Sequence, residues 1–193
     1  MSRFSTLTNR SLRHSDVEVV ITAPDRYAAR LVMQIRARLT LGTLTQLIAN
    51  SEHYVILSVP FIQENDSVSA PIFQALRSAL RRSVNIDIVS TLAGLRIIAR
   101  MELQEGTNGR IRFYRPHANI QDERRLGSHA KFCVSDGGHA YVGSANLTMP
   151  GLSENIEVGV LLHGEPARQI EDFWRIAIEM GLLVEINPNV DLI

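Results

Sequence analysis

The single lysine of this chain, Lys131, lies in a short stretch that also contains a histidine and an aspartate. Lysine and arginine together number 20, so every other long-chain cation is an arginine. A compact ammonium on a flexible stem is not interchangeable with a planar guanidinium. A lysine kept two residues after His129 and five before Asp136 therefore indicates a position that requires an ammonium. The histidine adds a group that can act as a nucleophile or a proton carrier near neutral pH.

Further polar residues follow at short range. Residues 143–146 (GSAN) begin fourteen residues after His129, and residues 155–157 (NIE) come next. The arrangement H-x-K-x4-D, G-S-x-N and N-x-E resembles the motif of the phospholipase D superfamily, in particular its small single-motif nuclease and phosphodiesterase branch. The specific motif covers residues 127–162, and a looser resemblance runs over about residues 40–182. The sequence around the motif is similar to the phospholipase D-like component of DISARM-type antiphage defence systems.

This resemblance implies phosphoryl transfer from a phosphodiester. A neutral ring nitrogen of His129 would attack phosphorus and form a phosphohistidine, which water later hydrolyses. Lys131 would hold the non-bridging oxygens, with the Ser144 hydroxyl and the Asn146 amide donating to them. Glu157 would accept from the other ring nitrogen of the histidine and so fix its tautomer. The predicted catalytic set is His129, Lys131, Ser144, Asn146 and Glu157.

Asp136 matches the motif aspartate, which the resemblance gives a structural role rather than a contact with substrate. We expect no metal and no cofactor, because the lysine and the hydrogen-bond donors already neutralise the phosphate. The sequence also lacks a carboxylate cluster or a Cys/His spacing typical of metal ligands.

One histidine must attack and another must protonate the leaving oxygen, so the mechanism needs two histidines at one site. Of the six histidines, only His129 is followed by a lysine two positions later. We therefore predict a homodimer whose two motifs meet across a two-fold axis to form one active site. The resemblance implies the same, because single-motif members of the superfamily are dimers of this kind.

An arginine-rich stretch precedes the motif. These arginines either form a solvated face or contact a phosphate backbone. From this stretch we take Arg124 and Arg125, together with His117, as candidate substrate-binding residues. The loops at 61–64 and 120–126 are expected around the cleft by analogy.

Other side chains near the motif carry two interpretations each. His139 could line the cleft, and Phe61 and Tyr114 could stack bases, although core packing is the favoured role for the two aromatic residues. Trp174 and Cys133 are expected in the core.

Apolar patterning predicts helices that alternate with strands. Strands are expected at 16–23, 53–61, 84–88, 110–114, 140–143 and 157–162, and helices at 27–39, after Gly42, from Ser69, at 96–105 and from Pro166 to Gly181. Within the motif, Ala130, Phe132 and Val134 would face the core, which leaves His129, Lys131 and Cys133 on the other face. The order is typical of a layered α/β domain. It resembles the phospholipase D fold, a mixed β-sheet sandwiched between helical layers.

At 193 residues the chain is expected to form one domain over 1–193, with residues 1–40 as a family-specific addition. Residues 1–16 contain no apolar signal-peptide core, and no stretch approaches the length of a membrane span. With one cysteine there is no internal disulfide. We therefore expect a cytoplasmic protein without a membrane partner. The formal net charge of +0 is not typical of a dedicated nucleic-acid binder.

The leading interpretation is a metal-independent phosphodiesterase, a nuclease on DNA or RNA. A phospholipase or phosphatidyl transferase stays open, although the chain lacks a secretion signal and an exposed amphipathic helix rich in lysine. A non-catalytic or partner-activated nucleic-acid-binding subunit of a defence complex is the other alternative. The neutral charge supports it, whereas the complete set of motif residues argues against a decayed site.

Overall fold

The computed structural model describes residues 16–63, 67–117, 128–187 and 191. In these residues the strands are β1 (Val17–Thr22), β2 (Arg38–Leu39), β3 (Tyr54–Ser58), β4 (Asn85–Val89), β5 (Ile111–Pro116), β6 (Phe132–Ser135), β7 (His139–Gly143), β8 (Glu157–His163) and β9 (Leu183–Ile186). The helices are α1 (Asp25–Ile35), α2 (Thr40–Asn50), α3 (Ala70–Arg81), α4 (Leu92–Arg100) and α5 (Glu165–Glu179). A π-helical turn, Pro150–Glu154, precedes β8.

The strands form one mixed sheet in the order β2-β1-β8-β7-β6-β3-β4-β5-β9. Strands β3, β4 and β5 run parallel, as do β1 and β2, and the remaining neighbours are antiparallel. The sheet carries helices on both faces. Apolar side chains of α2, α3 and α4 cover one face, and those of α5 cover the other. The predicted α/β class, a mixed sheet between helical layers, is confirmed.

The two faces of β6 are both buried, which changes one expectation. Phe132 and Val134 pack under α5, as predicted for the core face. Cys133, which was placed on the site-facing side, is fully buried in the cluster beneath α2 and α3. A strand covered by helices on both sides has no free face on which a site could form. The motif side chains are therefore accessible only where the strands end.

Helix boundaries differ from the prediction for local reasons. The helix expected at 27–39 ends at Ile35, because Arg36 takes a left-handed conformation with φ of 54° and residues 38–39 pair with β1. Gly42 lies inside α2 instead of separating two helices. The helix expected from residue 96 begins at Leu92, where the Thr91 hydroxyl caps it by accepting from the Gly94 N–H at 3.2 Å.

Strand β9 was not foreseen, although it pairs antiparallel with β5 at the end of the sheet. Within the described residues, no helix is long and apolar enough to cross a bilayer.

Candidate active site

Three neighbouring strands bring the motif residues to one edge of the sheet. Lys131 immediately precedes β6, Ser144 follows β7, and Glu157 begins β8. Because β6, β7 and β8 alternate in direction, these three positions meet at the same edge. Backbone hydrogen bonds fix their register: Gly143 N donates to Lys131 O at 3.0 Å, and Ser144 N donates to Val158 O at 3.2 Å.

Lys131 is held against His129. Its side chain is only 7 % exposed, and its ammonium nitrogen lies 3.3 Å from Nδ1 and 3.3 Å from Nε2 of the His129 ring. The ammonium also donates to the His129 carbonyl at 3.1 Å. Burial lowers the pKa of Lys131, and the nearby charge of Glu157 offsets part of this decrease. The imidazole itself is exposed, so a substrate can reach it.

The Glu157 carboxylate is engaged by its neighbours on the same edge. It accepts from the Ser144 hydroxyl on one oxygen and from the Asn155 side-chain amide at 3.1 Å on the other. Val158 N in turn donates to the Ser144 hydroxyl at 3.2 Å. The hydrogen bond that we expected between Glu157 and the His129 ring is absent among the described contacts. Strand pairing places Ser144 beside Glu157, so the carboxylate bonds to the Ser144 hydroxyl instead of the His129 ring.

Asn155 is a site residue that the prediction included only as part of the N-x-E motif. Its spacing of two residues from Glu157 was the available signal. The structure gives it a definite task, because its amide orients one oxygen of the carboxylate.

Asn146 follows on the same loop and is closely packed. Its side-chain oxygen is buried, and no described residue is its hydrogen-bond partner. Gly151, in the π-helical turn, lies so close that a Cβ built on it would be 2.5 Å from Asn146 O and 2.9 Å from Asn146 N. The turn therefore supports the backbone of Asn146 directly.

The loop after β3 lies beside these residues, as predicted for residues 61–64. Leu147 N donates to Phe61 O at 3.1 Å, and Gln63 N donates to Leu147 O at 2.8 Å. Phe61 is partly exposed next to the site. Glu64 and the second predicted loop, 120–126, lie outside the described residues.

Asp136 lies at the far end of β6 from His129. Its carboxylate accepts from three consecutive backbone N–H groups that lead into β3, those of residues 52, 53 and 54, at 2.8, 2.9 and 2.9 Å. Asp136 has a left-handed backbone with φ of 49°. The side chain thus joins the turn between β6 and β7 to the start of β3.

His139 does not line the candidate site, contrary to one expectation. It begins β7, whereas the site lies where β7 ends. Its Nδ1 is 2.8 Å from Nδ1 of His163, whose Nε2 is 2.9 Å from a Glu18 oxygen. The antiparallel course of β7 carries His139 to the opposite edge of the sheet.

The three predicted substrate-binding residues are only partly located. Arg124 and Arg125 lie outside the described residues. His117 is exposed just after β5, and its backbone N–H donates to the Leu182 carbonyl at 2.9 Å.

Three of the four side chains favoured for the core are buried there. The rings of Tyr114 and Trp174 pack edge to face with centroids 5.2 Å apart. Cys133 has no exposed surface, and burial raises the pKa of its thiol to about 12. Core packing is therefore confirmed for these three, and Tyr114 is unavailable for stacking on a base. The core role favoured for Phe61 is wrong, because this residue is 44% exposed in the loop after β3.

The described residues contain no group of three or more His, Cys, Asp or Glu side chains positioned to hold a metal ion. The groups gathered at the sheet edge are one imidazole, one ammonium, one carboxylate and the hydroxyl and amides around it. This combination can bind an anionic oxygen, transfer protons and present a nitrogen nucleophile.

Residues 44–177, more than half of the chain, match the family model described as cardiolipin synthase, PLD-like domain. Among curated proteins there is no significant match. Among solved structures, Nuc from Salmonella typhimurium, described as a phospholipase D family member, superposes with a TM-score of 0.58 at 18% identity, over 89% of this chain and 99% of that chain. NucT from Helicobacter pylori superposes with a TM-score of 0.60 at 12% identity, over 89% of this chain and 100% of that chain.

At these identities the structural likeness shows the fold, and the family model shows the membership. The matched region contains every motif residue from His129 to Glu157. The chain therefore belongs to the phospholipase D superfamily, in the family described as cardiolipin synthase, PLD-like domain.

Proposed function

We propose that this protein is a metal-independent phosphodiesterase that cleaves nucleic acid through a phosphohistidine, at a site shared by two copies of the chain. The observation that carries the proposal is the position of Lys131, a residue only 7 % exposed whose ammonium lies against the His129 ring. A fixed positive charge beside an exposed imidazole suits attack on an anionic phosphodiester, because the charge stabilises the oxygens as they become more negative.

The reaction has two displacements at phosphorus. A neutral ring nitrogen of His129 forms a bond to phosphorus while the bond to the leaving oxygen breaks. A protonated His129 from the second copy gives its proton to that oxygen. The same imidazole then takes a proton from water, whose oxygen bonds to phosphorus as the phosphorus–nitrogen bond breaks. Both imidazoles return to their starting states.

The remaining side chains hold the phosphate. Lys131 contacts the non-bridging oxygens as a point charge, and the Asn146 amide supplies a second donor. Ser144 and Asn155 keep the Glu157 carboxylate oriented. Glu157 in turn favours the charged form of Lys131. In the assembled site of two copies, this carboxylate is also the group available to orient an imidazole.

A nucleic-acid substrate is supported by the single H-x-K motif, which resembles the single-motif nuclease branch. The description of the matched family names a lipid enzyme, so a phosphatidyl transfer is the second candidate. A third, favoured by the formal net charge of +0, is a partner-activated subunit of a defence complex. The substrate that is turned over separates the first two candidates, and inactivity of the isolated protein identifies the third.

The test is cleavage of labelled single- and double-stranded DNA and RNA in excess EDTA, with phospholipid vesicles in parallel. We expect the wild type to cleave a nucleic acid, and His129→Ala to be inactive although folded. Turnover of vesicles alone would favour the lipid enzyme. Inactivity of a folded dimer toward every substrate would favour the partner-activated subunit.

A mixing experiment tests the shared site. If each site needs two copies of His129, an equal mixture of wild type and His129→Ala after subunit exchange retains about a quarter of the wild-type activity, instead of about half for independent sites. Light scattering should give a dimer at micromolar concentration. An active monomer would contradict the shared site while leaving the phosphodiesterase activity in place.

A further inference from the structure

A small apolar cavity opens beside His129, on the α5 side of the sheet. Its volume is about 190 Å³. The lining comes from α5, β6, the ends of β3, β4 and β5, and the turn before β9, and it includes Phe132, Phe173, Trp174 and Leu182. Ser58, Ser128 and His129 contribute the polar part of the lining. The cavity is therefore continuous with the candidate nucleophile, and no other member of the predicted catalytic set lines it.

The aromatic side chains of this cavity form a packed cluster with one accessible member. Phe132 packs edge to face on Phe173 and on Trp174, with centroids 6.4 and 6.3 Å apart. Phe132 and Trp174 are buried, whereas Phe173 is 51% exposed. An aromatic ring held by buried neighbours and open to solvent provides a rigid surface on which another flat ring can stack.

We propose that this cavity binds a nucleobase adjacent to the scissile phosphate, with Phe173 as the stacking residue. The inference rests on the proposed nuclease function. A phosphate attacked by His129 places its own substituents at the mouth of the cavity. Stacking on an aromatic side chain tolerates any base, since every base has a π-face. Ser128 and the solvent at the open side can satisfy the polar edge of the base.

The size of the cavity favours a base over a lipid chain. At about 30 Å³ for each water molecule, the volume corresponds to roughly six waters. This is room for one ring system. The cavity volume lies below the roughly 300 Å³ at which pockets for larger organic ligands begin. A long acyl chain would have most of its length outside the cavity.

The kinetic test compares an oligonucleotide with an abasic oligonucleotide of the same length, so that only the bases differ. Stacking of one base contributes about 1–3 kcal/mol, or roughly 5- to 150-fold. We expect Phe173→Ala to lower kcat/KM for the base-bearing substrate about tenfold and to leave the abasic substrate unchanged. The control is Ile176→Ala, on the same helix with the same exposed fraction of 51%, which does not line the cavity and should alter neither substrate.

A binding test is independent of turnover, because Trp174 is the only tryptophan of the chain and lines the cavity. A nucleoside monophosphate should change its fluorescence to saturation, deoxyribose 5-phosphate should not, and Phe173→Ala should weaken the response about tenfold. A response without nuclease activity would support the base site and count against the proposed function. No response to the nucleotide, or equal kinetic losses on both oligonucleotides, would overturn the base site even in an active nuclease.

Discussion

The ammonium nitrogen of Lys131 lies equally far, 3.3 Å, from the two ring nitrogens of His129. An atom at this distance from both nitrogens cannot lie in the plane of the ring, where it would collide with ring carbon atoms. The ammonium therefore lies over the face of the imidazole. Its directed hydrogen bond goes to the His129 carbonyl at 3.1 Å instead.

This placement leaves the ring free to react. The lone pairs of an imidazole point outward in the ring plane, so an ammonium over the face does not occupy the lone pair that would attack phosphorus. The same ammonium can reach an oxygen on the phosphate above the ring. Charge and nucleophile thus act on one group without competing with each other.

Lys131→Arg should therefore abolish activity even though the charge is kept. A planar guanidinium is too large for a site in which Lys131 is only 7 % exposed. Its charge is also spread over a plane, so it cannot place a single point charge over the ring. We expect kcat/KM for the cleaved substrate to fall at least about 100-fold. Overpacking should cost about 1–3 kcal/mol in the free energy of unfolding.

Lys131→Met is the matched control for size. It should remain folded in thermal unfolding and be as inactive as the arginine variant, because it keeps the length of the side chain and removes the charge. If Lys131→Arg cleaved within about threefold of the wild type, the requirement for a compact ammonium would be wrong.

The pKa of Lys131 should lie below the ordinary lysine value of 10.5, since burial disfavours the charged form. The ammonium is present below that pKa and is lost as the pH rises through it, so activity should decline at a lower pH than a free lysine would predict. As the chain has one lysine, a single labelled side-chain nitrogen resonance reports this titration by NMR.

Glu157 raises the pKa of Lys131, so Glu157→Gln should move the titration to a still lower pH. The same resonance in denaturant gives the reference value of an unfolded lysine. A titration in the native protein at or above that reference would show that the charge of Glu157 outweighs burial, the reverse of the effect expected here.

The sequence predicted that the candidate site residues meet at one edge of the sheet, because these residues lie at strand ends. Alternation placed Phe132 and Val134 in the core, and the glycine pair at 137–138 indicated the turn between β6 and β7. Lys131 and Ser144 must then meet at one edge, since antiparallel neighbours return to the same side. This prediction required only the order and direction of adjacent strands, and no knowledge of side-chain packing between distant segments.

What the sequence did not predict depends on packing between distant segments. Cys133 was correctly expected in the core but was assigned to the site-facing side of its strand, because alternation within one strand does not show that helices cover both faces. His139 is near the motif in sequence, but the direction of β7 carries it away. The partners of Glu157 were missed because Asn155 and Ser144, which follows the neighbouring strand β7, bond to its oxygens, whereas His129 precedes β6, one strand further away.

Asp136→Ala should lower the free energy of unfolding by about 2–4 kcal/mol. The change removes the acceptor of three backbone N–H groups at the start of β3. It also places alanine at a positive φ of 49°. This backbone conformation destabilises a residue whose side chain cannot hydrogen-bond to its own backbone. Urea unfolding measures the loss.

Asp136→Asn separates these two causes. Asparagine tolerates the left-handed backbone and keeps one acceptor oxygen, so about half of the loss is expected. Catalysis by the folded fraction should change little, as the turn lies at the edge of the sheet opposite His129. Stability equal to wild type in the alanine variant would contradict the role given to the carboxylate.

Gly151→Ala should impair catalysis through Asn146. The added Cβ would lie 2.5 Å from Asn146 O and 2.9 Å from Asn146 N. These are backbone atoms, so no side-chain rotation relieves the contact and the loop must move. A displacement near 1 Å at a catalytic group can cost about 100-fold, and we expect a fall of that order in kcat. Unfolding should show a smaller change, about 1–3 kcal/mol.

Gly42→Ala provides the comparison for Gly151→Ala, because it adds the same methyl group where nothing lies within 4 Å. Gly42 is in α2, so alanine should stabilise the helix by about 0.5–1 kcal/mol and leave kcat unchanged. Cleavage assays and urea unfolding on both variants decide the matter. If Gly151→Ala retained full activity, the close packing of the π-helical turn would not position Asn146 for the reaction, and the catalytic role proposed for that amide would lose its structural support.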